Sequence, residues 1–293
     1  MASLKEIKGR INSINGTLKI TSAMKMVASA KLSKAQQAIA GMLPYEQGLR
    51  HILTHLLGSG EGVVSPFIQE REVKKVAIVA FASNSSLCGG FNSNVIRQLN
   101  ELIGKYSATI GRENLLVYPV GRKVADAVKK QGITPMGDFQ QLSGKPAYQE
   151  ASALAEDLMG KFLRDEVQRV ELLYHHFKST STQVLTHATY LPIDLTAQAK
   201  EDGQDDKESI SDYIIEPSIE AVITQLLPRT LRMRIYTVAL DSSASEHAAR
   251  TMAMQVATEN AEDMLQELRL QYNKGRQQAI TNELLDIVGG SMT

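Results

Sequence analysis

The 293 residues include a single cysteine, Cys88, so an internal disulfide is impossible and a zinc site built on several thiolates is excluded. Excess charge is absent too: 32 Lys plus Arg balance 32 Asp plus Glu. That balance removes the bulk positive field of a generic nucleic-acid binder. Apolar runs such as Val76 to Ala82 are short, well below the roughly 18 to 20 residues that cross a bilayer. The start, Met1-Ala-Ser-Leu-Lys-Glu, has no apolar signal core, which points to a chain that stays in the compartment that makes it. Prolines are missing from both ends. All eight lie between Pro44 and Pro228, and each is expected to interrupt a helix interior. What remains, 43% apolar and 22% charged, is the make-up of a folded protein long enough for one large domain or two ordinary ones.

The ends read as helices. Leu4, Ile7, Ile11, Ile14 and Leu18 recur at spacings of 3, 4, 3 and 4, and Ile20, Met24 and Val27 continue at 4 and 3, which predicts one apolar stripe along a helix. Met1 to Lys34 carries seven basic residues against Glu6, a local excess of +6; a solvated helix face and a surface for an acidic partner both fit it. Leu231 to Val288 contains one glycine, Gly275, among good helix formers. Leu265, Leu268 and Tyr272, then Ile280, Leu284 and Ile287, keep the same 3 and 4 spacings, and Gly289-Gly290 reads as a stop. A break near Asp241 is also permitted, because Leu231-Arg-Met-Arg-Ile-Tyr-Thr alternates like a strand and Ser243 with Glu246 has capping-box spacing. Unbroken, these 58 residues give a helix of roughly 87 Å, far beyond a body of about 140 residues with a radius of gyration of ~14 Å. Such a rod cannot hide its own apolar stripe. The N-terminal helix is its natural cover, which predicts a two-helix coiled coil joining the chain ends. From Ala244 to Ala261 alanines outnumber large apolar residues, suiting close helix approach or a smooth face turned elsewhere.

Between the ends strands alternate with helices. Val76 to Ala82, Leu115 to Tyr118, Val167 to Phe177 and Gln183 to Tyr190 read as strands, and Asn92 to Tyr106, Arg122 to Lys130 and Tyr148 to Arg164 as helices. This is an α/β layer domain with a mainly parallel sheet. Leu195 to Asp212, centred on Lys200-Glu-Asp-Gly-Gln-Asp-Asp-Lys-Glu, is polar enough for a flexible loop. The resulting division is an N-terminal helix over 1–60, an α/β domain over 73–195, an acidic loop over 196–212 and a C-terminal helix over 213–290.

Catalytic patterns are scarce. Ser83-Asn-Ser-Ser-Leu-Cys-Gly-Gly-Phe-Asn92 joins a strand to a helix, where backbone N–H groups can hold an anion, but it lacks the Lys-Ser/Thr of a phosphate loop and the three-glycine dinucleotide pattern. A structural turn fits it better. Cys88 has no cation or His in its loop and reads as a packed residue. His51 and His55 lack a third ligand, and His175-His176 points to opposite faces of a strand. A coiled-coil adaptor explains the helices, and a nucleotide-binding enzyme would use the Ser83 loop but has no catalytic set.

Three stretches carry a resemblance. Ile7-Lys-Gly-Arg-Ile-Asn-Ser-Ile with Thr17-Leu-Lys-Ile-Thr-Ser-Ala-Met-Lys-Met-Val-Ala28, Leu87-Cys-Gly-Gly-Phe-Asn92, and Tyr272-Asn-Lys-Gly-Arg-Gln-Gln-Ala-Ile-Thr-Asn-Glu283 closely resemble the gamma subunits of F-type ATP synthases. The resemblance runs from end to end and implies a long coiled coil of the terminal helices beside a Rossmann-like α/β domain. It favours one unbroken C-terminal helix, with Pro217 near its start and Pro228 inside it. It implies a non-catalytic central-stalk rotor without cofactor or metal, turning inside a ring of alpha and beta subunits and coupling ion flow to ATP synthesis or hydrolysis. By the same resemblance Arg276, Gln277, Thr281 and Glu283 meet the catalytic subunits, Met24, Lys25 and Arg250 face acidic beta loops, and Tyr213 and Glu216 touch the c ring and the epsilon subunit. An acidic partner is thereby implied for the basic N-terminal end. No nucleic-acid partner is implied, and the membrane is reached only through the c ring. A start directly at the motif, without an Arg-rich transit segment, points to the cytoplasmic face of a bacterial plasma membrane. Gly16, Ser22, Asn84-Ser-Ser86 and Ile215 depart from the family pattern.

Overall fold

Seven-residue periodicity shapes the first helix of the computed structural model, which describes residues 3–58, 65–193, 215–216 and 218–291. Helix α1, Leu4–Gly58, runs for 55 residues. Its inward positions are Leu4, Ile7, Ile11, Ile14, Leu18, Thr21, Lys25, Ala28, Leu32, Ala35 and Ile39, an unbroken alternation of 3 and 4. A 3.5-residue repeat holds one seam against a partner helix in a left-handed supercoil. The seam therefore departs from the expected stripe after Leu18. Ile20 lies about 200° around the helix from Leu18; Ile20 and Val27 are 62% and 58% exposed.

The partner is α6, Ile219–Ser291, a single helix of 73 residues, about 110 Å long. It passes through Asp241, so the permitted break does not occur, and it continues through Gly289-Gly290 rather than stopping there. Pro44 sits inside α1, contrary to the expectation that each proline interrupts a helix, and Pro228 sits inside α6 as the resemblance implied. A proline removes one N–H···O bond and crowds the preceding turn, a local cost that long helices held by tertiary packing tolerate. The pair is antiparallel. Glu46 meets Arg234 at 3.4 Å, Lys25 Nζ donates to Gln255 Oε1 at 2.8 Å, and the hydroxyls of Thr21 and Thr258 lie 2.9 Å apart. At the far end Leu4 packs so closely on Gly275 that an added Cβ would sit 3.1 Å from the leucine. On α6 the seam runs through Met254, Thr258, Ala261, Leu265, Leu268, Tyr272 and Gly275.

The body hangs beside this rod. Strands β1 (Val76–Phe81), β2 (Leu115–Val120), β3 (Arg169–Phe177) and β4 (Gln183–Leu191) form a sheet in the order β2-β1-β3-β4. The β1 pairings are parallel and β3–β4 is antiparallel, a mainly parallel sheet as expected. Helices α2 (Phe91–Ile110), α3 (Arg122–Lys130), α4 (Gln140–Gly144) and α5 (Tyr148–Leu163) surround it, and a short 3-10 turn, Arg112–Asn114, precedes β2. Strand β1 is apolar throughout because both faces are covered. Val76, Ile78 and Ala80 pack with Val95, Leu99 and Val124 of α2 and α3, while Ala77, Val79 and Phe81 join α5 and the Leu227–Ala239 stretch of α6. The second core thus welds rod to body. Ala244 and Ala248 are fully buried with Leu32, so the alanine-rich stretch serves close helix approach. The acidic loop over 196–212 and Pro217 lie outside the described residues.

The seam generates a direct contrast. Leu32→Ala should destabilise the full chain by about 2–3 kcal/mol, whereas Ile20→Ala, on an exposed position, should change it by less than about 0.5 kcal/mol. Urea denaturation of both variants checks the register; equal losses would mean the seam is misplaced.

Candidate functional site

Past Gly275 the rod becomes one helix. Helix α1 begins at Leu4, so residues 276–291 of α6 run on past it for about 24 Å. Ile280, Leu284, Leu285, Ile287 and Val288 there are exposed, Leu285 and Ile287 by more than 60%. The last three apolar positions of the expected stripe therefore have no cover from α1. Arg276, Gln277, Thr281 and Glu283 stand on the same extension, all exposed, and the Thr281 hydroxyl donates to the Gln277 carbonyl at 2.9 Å. The geometry brings these four together on one bare helix end, where an apolar stripe and polar side chains lie within reach of anything surrounding the tip.

Lower on the rod, Met24 is half-buried and Lys25 is held by Gln255. Glu216 is exposed just before α6 begins. Tyr213 lies outside the described residues. Arg250 is only 9% exposed, because the body closes over it. Its Nη1 donates to Glu246 Oε1 at 2.5 Å, and its Nη2 to Ser85 Oγ at 2.8 Å and the Ser86 carbonyl at 3.3 Å. Burial outweighs the guanidinium and pushes the Glu246 carboxyl up.

The Ser83 loop is the other half of that joint. Ser83 is fully buried, and its N–H donates to Asn92 Oδ1 at 3.0 Å while Asn92 Nδ2 donates to the Ser85 carbonyl at 3.2 Å. Leu87 and Gly89 adopt positive φ, 66° and 57°, so the loop turns tightly. Its polar groups serve the turn itself and the rod, which favours the structural reading over phosphate binding. Cys88 is buried, and burial pushes its thiol up even though the fold, unlike the local sequence, brings Arg250 near it. Asn84 bridges the Gln140 carbonyl and the Arg122 N–H at 2.8 and 2.9 Å.

One turn pair down α6, Asp241 accepts the Phe177 N–H at 2.7 Å through Oδ1 and contacts His176 Nδ1 at 2.6 Å through Oδ2. The Ser245 hydroxyl donates to the His175 carbonyl at 3.0 Å. Asp241 and Ser245 thus tie the rod to the body; sequence reasoning missed this, because short polar side chains at Asp241 to Glu246 resemble a helix boundary. His175 and His176 do point apart. His175 is buried and stacked 4.4 Å from Phe91, and His176 is exposed. Burial pulls both His175 and His247 down to about 4. The side chains of His51 and His55 lie outside the described set, and among the described residues no three metal-ligating side chains gather.

The protein family described as ATP synthase matches residues 3–293. The ATP synthase gamma chain of Phocaeicola vulgatus is 65% identical over 292 residues, all of both chains, and that of Bacteroides fragilis strain YCH46 is 59% identical over 295 residues, again all of both. A chain of the Euglena gracilis mitochondrial ATP synthase, in an OSCP, F1 and c-ring structure, superposes with a TM-score of 0.65 at 20% identity, covering 99% of this chain and 93% of its own. A chain of the Tetrahymena thermophila mitochondrial ATP synthase central stalk and c ring superposes with a TM-score of 0.58 at 23% identity, covering 81% and 99%. These two likenesses share the fold.

The buried histidines set a pH dependence. Each binds its proton less readily in the fold than in the unfolded chain, so between about pH 6.5 and pH 4 the unfolded chain holds more protons and stability falls as pH falls, by up to about 3 kcal/mol for each ring. His175→Phe keeps the stack on Phe91 and removes one of the two; urea midpoints at pH 7 and pH 4.5 should then differ less than in the unsubstituted chain. An unchanged difference would show that His175 is not a neutral buried ring.

Proposed function

This chain belongs to the ATP synthase gamma-chain family, and from that membership we propose that it is the rotating central shaft of a bacterial F-type ATP synthase. The observation that carries the reading is the rod: a helix of 73 residues that outreaches the body and ends bare. An exposed apolar stripe at Ile280, Leu284 and Ile287 costs free energy in water, and a ring of alpha and beta subunits closing around the tip relieves it. Arg276, Gln277, Thr281 and Glu283 supply polar contacts to that ring, Arg276 through the five donors of a guanidinium. At the opposite end Glu216, with Tyr213, meets the c ring and the epsilon subunit.

The shaft does no covalent chemistry. Its asymmetry is the mechanism, since the body flanks one side of the rod and α1 another, so that each catalytic subunit faces a different surface as the shaft turns. Rotation then changes which open or closed state of each subunit is favoured, and coupling needs only that difference in contact free energy. Met24, and Lys25 on the basic α1, contribute toward acidic loops of the ring, at the level of the rod where Arg250 stands. Among the described residues no helix is long and apolar enough to cross a membrane. As the shaft of such a complex the chain is a peripheral subunit on the cytoplasmic face that reaches the bilayer, and takes part in ion transport, through the c ring.

Reconstitution tests this. ATP hydrolysis by alpha and beta subunits should change several-fold when this chain is added, and no change would remove the shaft reading. In the complete complex, Arg276→Ala with Gln277→Ala should lower ATP synthesis by about tenfold, the equivalent of ~1.4 kcal/mol of lost contact, while thermal melting of the chain shifts by less than a degree or two. Unaltered synthesis would count against the tip contacts.

A further inference from the structure

Hydrogen bonds between α6 and the body climb in a line. Leu231 accepts from the Tyr190 hydroxyl at 3.0 Å, Arg232 pairs with Glu156 at 3.1 Å, and Asp241 and Ser245 hold the backbone of β3. Arg250 is the last tie. Beyond it, among the described residues, the hydrogen bonds that join α6 to another element are those of Gln255 and Thr258 with α1. The residue is an unusual choice for a structural bond. A buried ion pair is weak evidence of stability, since apolar residues of like volume often serve as well or better. Arg250 and Glu246 are nonetheless both buried, at 9% and 8% exposure, and the guanidinium reaches two separate acceptors on a loop that Asn92 braces from the other side. A fork of fixed geometry suits a joint that must resist twisting, because two bonds from one planar group fix an angle as well as a distance.

We propose that Arg250, oriented by Glu246, is a positioning residue that rivets the Ser83–Asn92 loop to the rod and sets the level at which the shaft leaves its body. The inference rests on the shaft reading above. The mean-square twist of an elastic rod under thermal motion grows in proportion to its unbraced length. With Arg250 in place no hydrogen bond ties the segment from Thr251 to Gly275 to the body; without it the last such bond is at Ser245, and the length without a directional tie rises from about 25 to about 30 residues at constant rise per residue. Variance of the shaft angle should rise by roughly one-fifth.

The test uses the complete complex with its catalytic ring fixed and an optical probe on the body, reading the angular spread about each rest position. Glu246→Gln with Arg250→Met removes the fork without leaving a lone buried charge, and should widen the variance by about one-fifth. Arg250→Lys keeps the charge pair but cannot fork, and should widen it as well, whereas a purely electrostatic role would leave the lysine variant like the unsubstituted chain and overturn the proposal. Ser85→Ala, which removes a single loop bond and leaves the pair intact, should widen it less and serves if the double variant does not fold. In the full chain, amide exchange at residues 84–88 should quicken in each variant, marking the opened rivet. Faster exchange with an unchanged angular spread would overturn the inference while leaving the shaft reading intact. An unsubstituted complex that does not rotate would overturn the shaft reading, and this inference falls with it.

Discussion

A helix about 110 Å long with an apolar stripe cannot stand alone in water, and the rest of the molecule follows from how that stripe is covered. Helix α1 supplies the cover from Leu4 to Ile39 through an uninterrupted seven-residue repeat. Each large seam residue contributes about 1.5–3 kcal/mol of burial, and the sum fixes two distant chain ends in register. Where the body takes over as cover, the seam changes character: Ala244 and Ala248 let α6 approach Leu32, and Leu227, Leu231 and Ile235 turn into the sheet core. Where neither covers it, past Gly275, the stripe is bare.

That sequence of covers gives the rod three mechanical zones. The lower part of α6 is clamped between α1 and the sheet, with Asp241, Ser245 and Arg250 adding directional bonds. The middle part is a two-helix coil whose contacts include polar ones, Lys25 with Gln255 and Thr21 with Thr258. The upper part is a single helix. Stiffness therefore falls toward the tip, while exposed apolar and polar side chains collect there. A shaft that transmits twist needs the first property at its base, and one that contacts a surrounding ring needs the second at its end.

Much of this was legible from residue spacing. The two terminal helices as stripes, their pairing, and the order of the four strands follow from apolar pattern, because large apolar residues mark the covered faces, whereas the continuity of α6 through Asp241 rested on the family resemblance. The misreadings share one cause: at particular positions the covered face is not apolar. Thr21, Lys25 and Ala28 carry the seam of α1, so tracking large apolar residues leads instead to Ile20 and Val27 on the exposed side. The polar run Asp241 to Glu246 resembles a helix boundary because Asp241 and Ser245 serve hydrogen bonds to β3, more than sixty residues away in sequence, and Glu246 pairs with Arg250 one turn on. The enclosure of Arg250 depends on the folded position of the Ser83 loop, 165 residues away at Ser85. The bare tip was readable as a stripe but not as an uncovered one, since that depends on where α1 stops.

Small-angle X-ray scattering of the full chain in solution measures the claim beneath all of this. A stiff rod of paired terminal helices requires a maximum dimension near 110 Å. A maximum dimension near ~50–60 Å with a radius of gyration close to ~19 Å, the value for a rounded protein of this length, would contradict it.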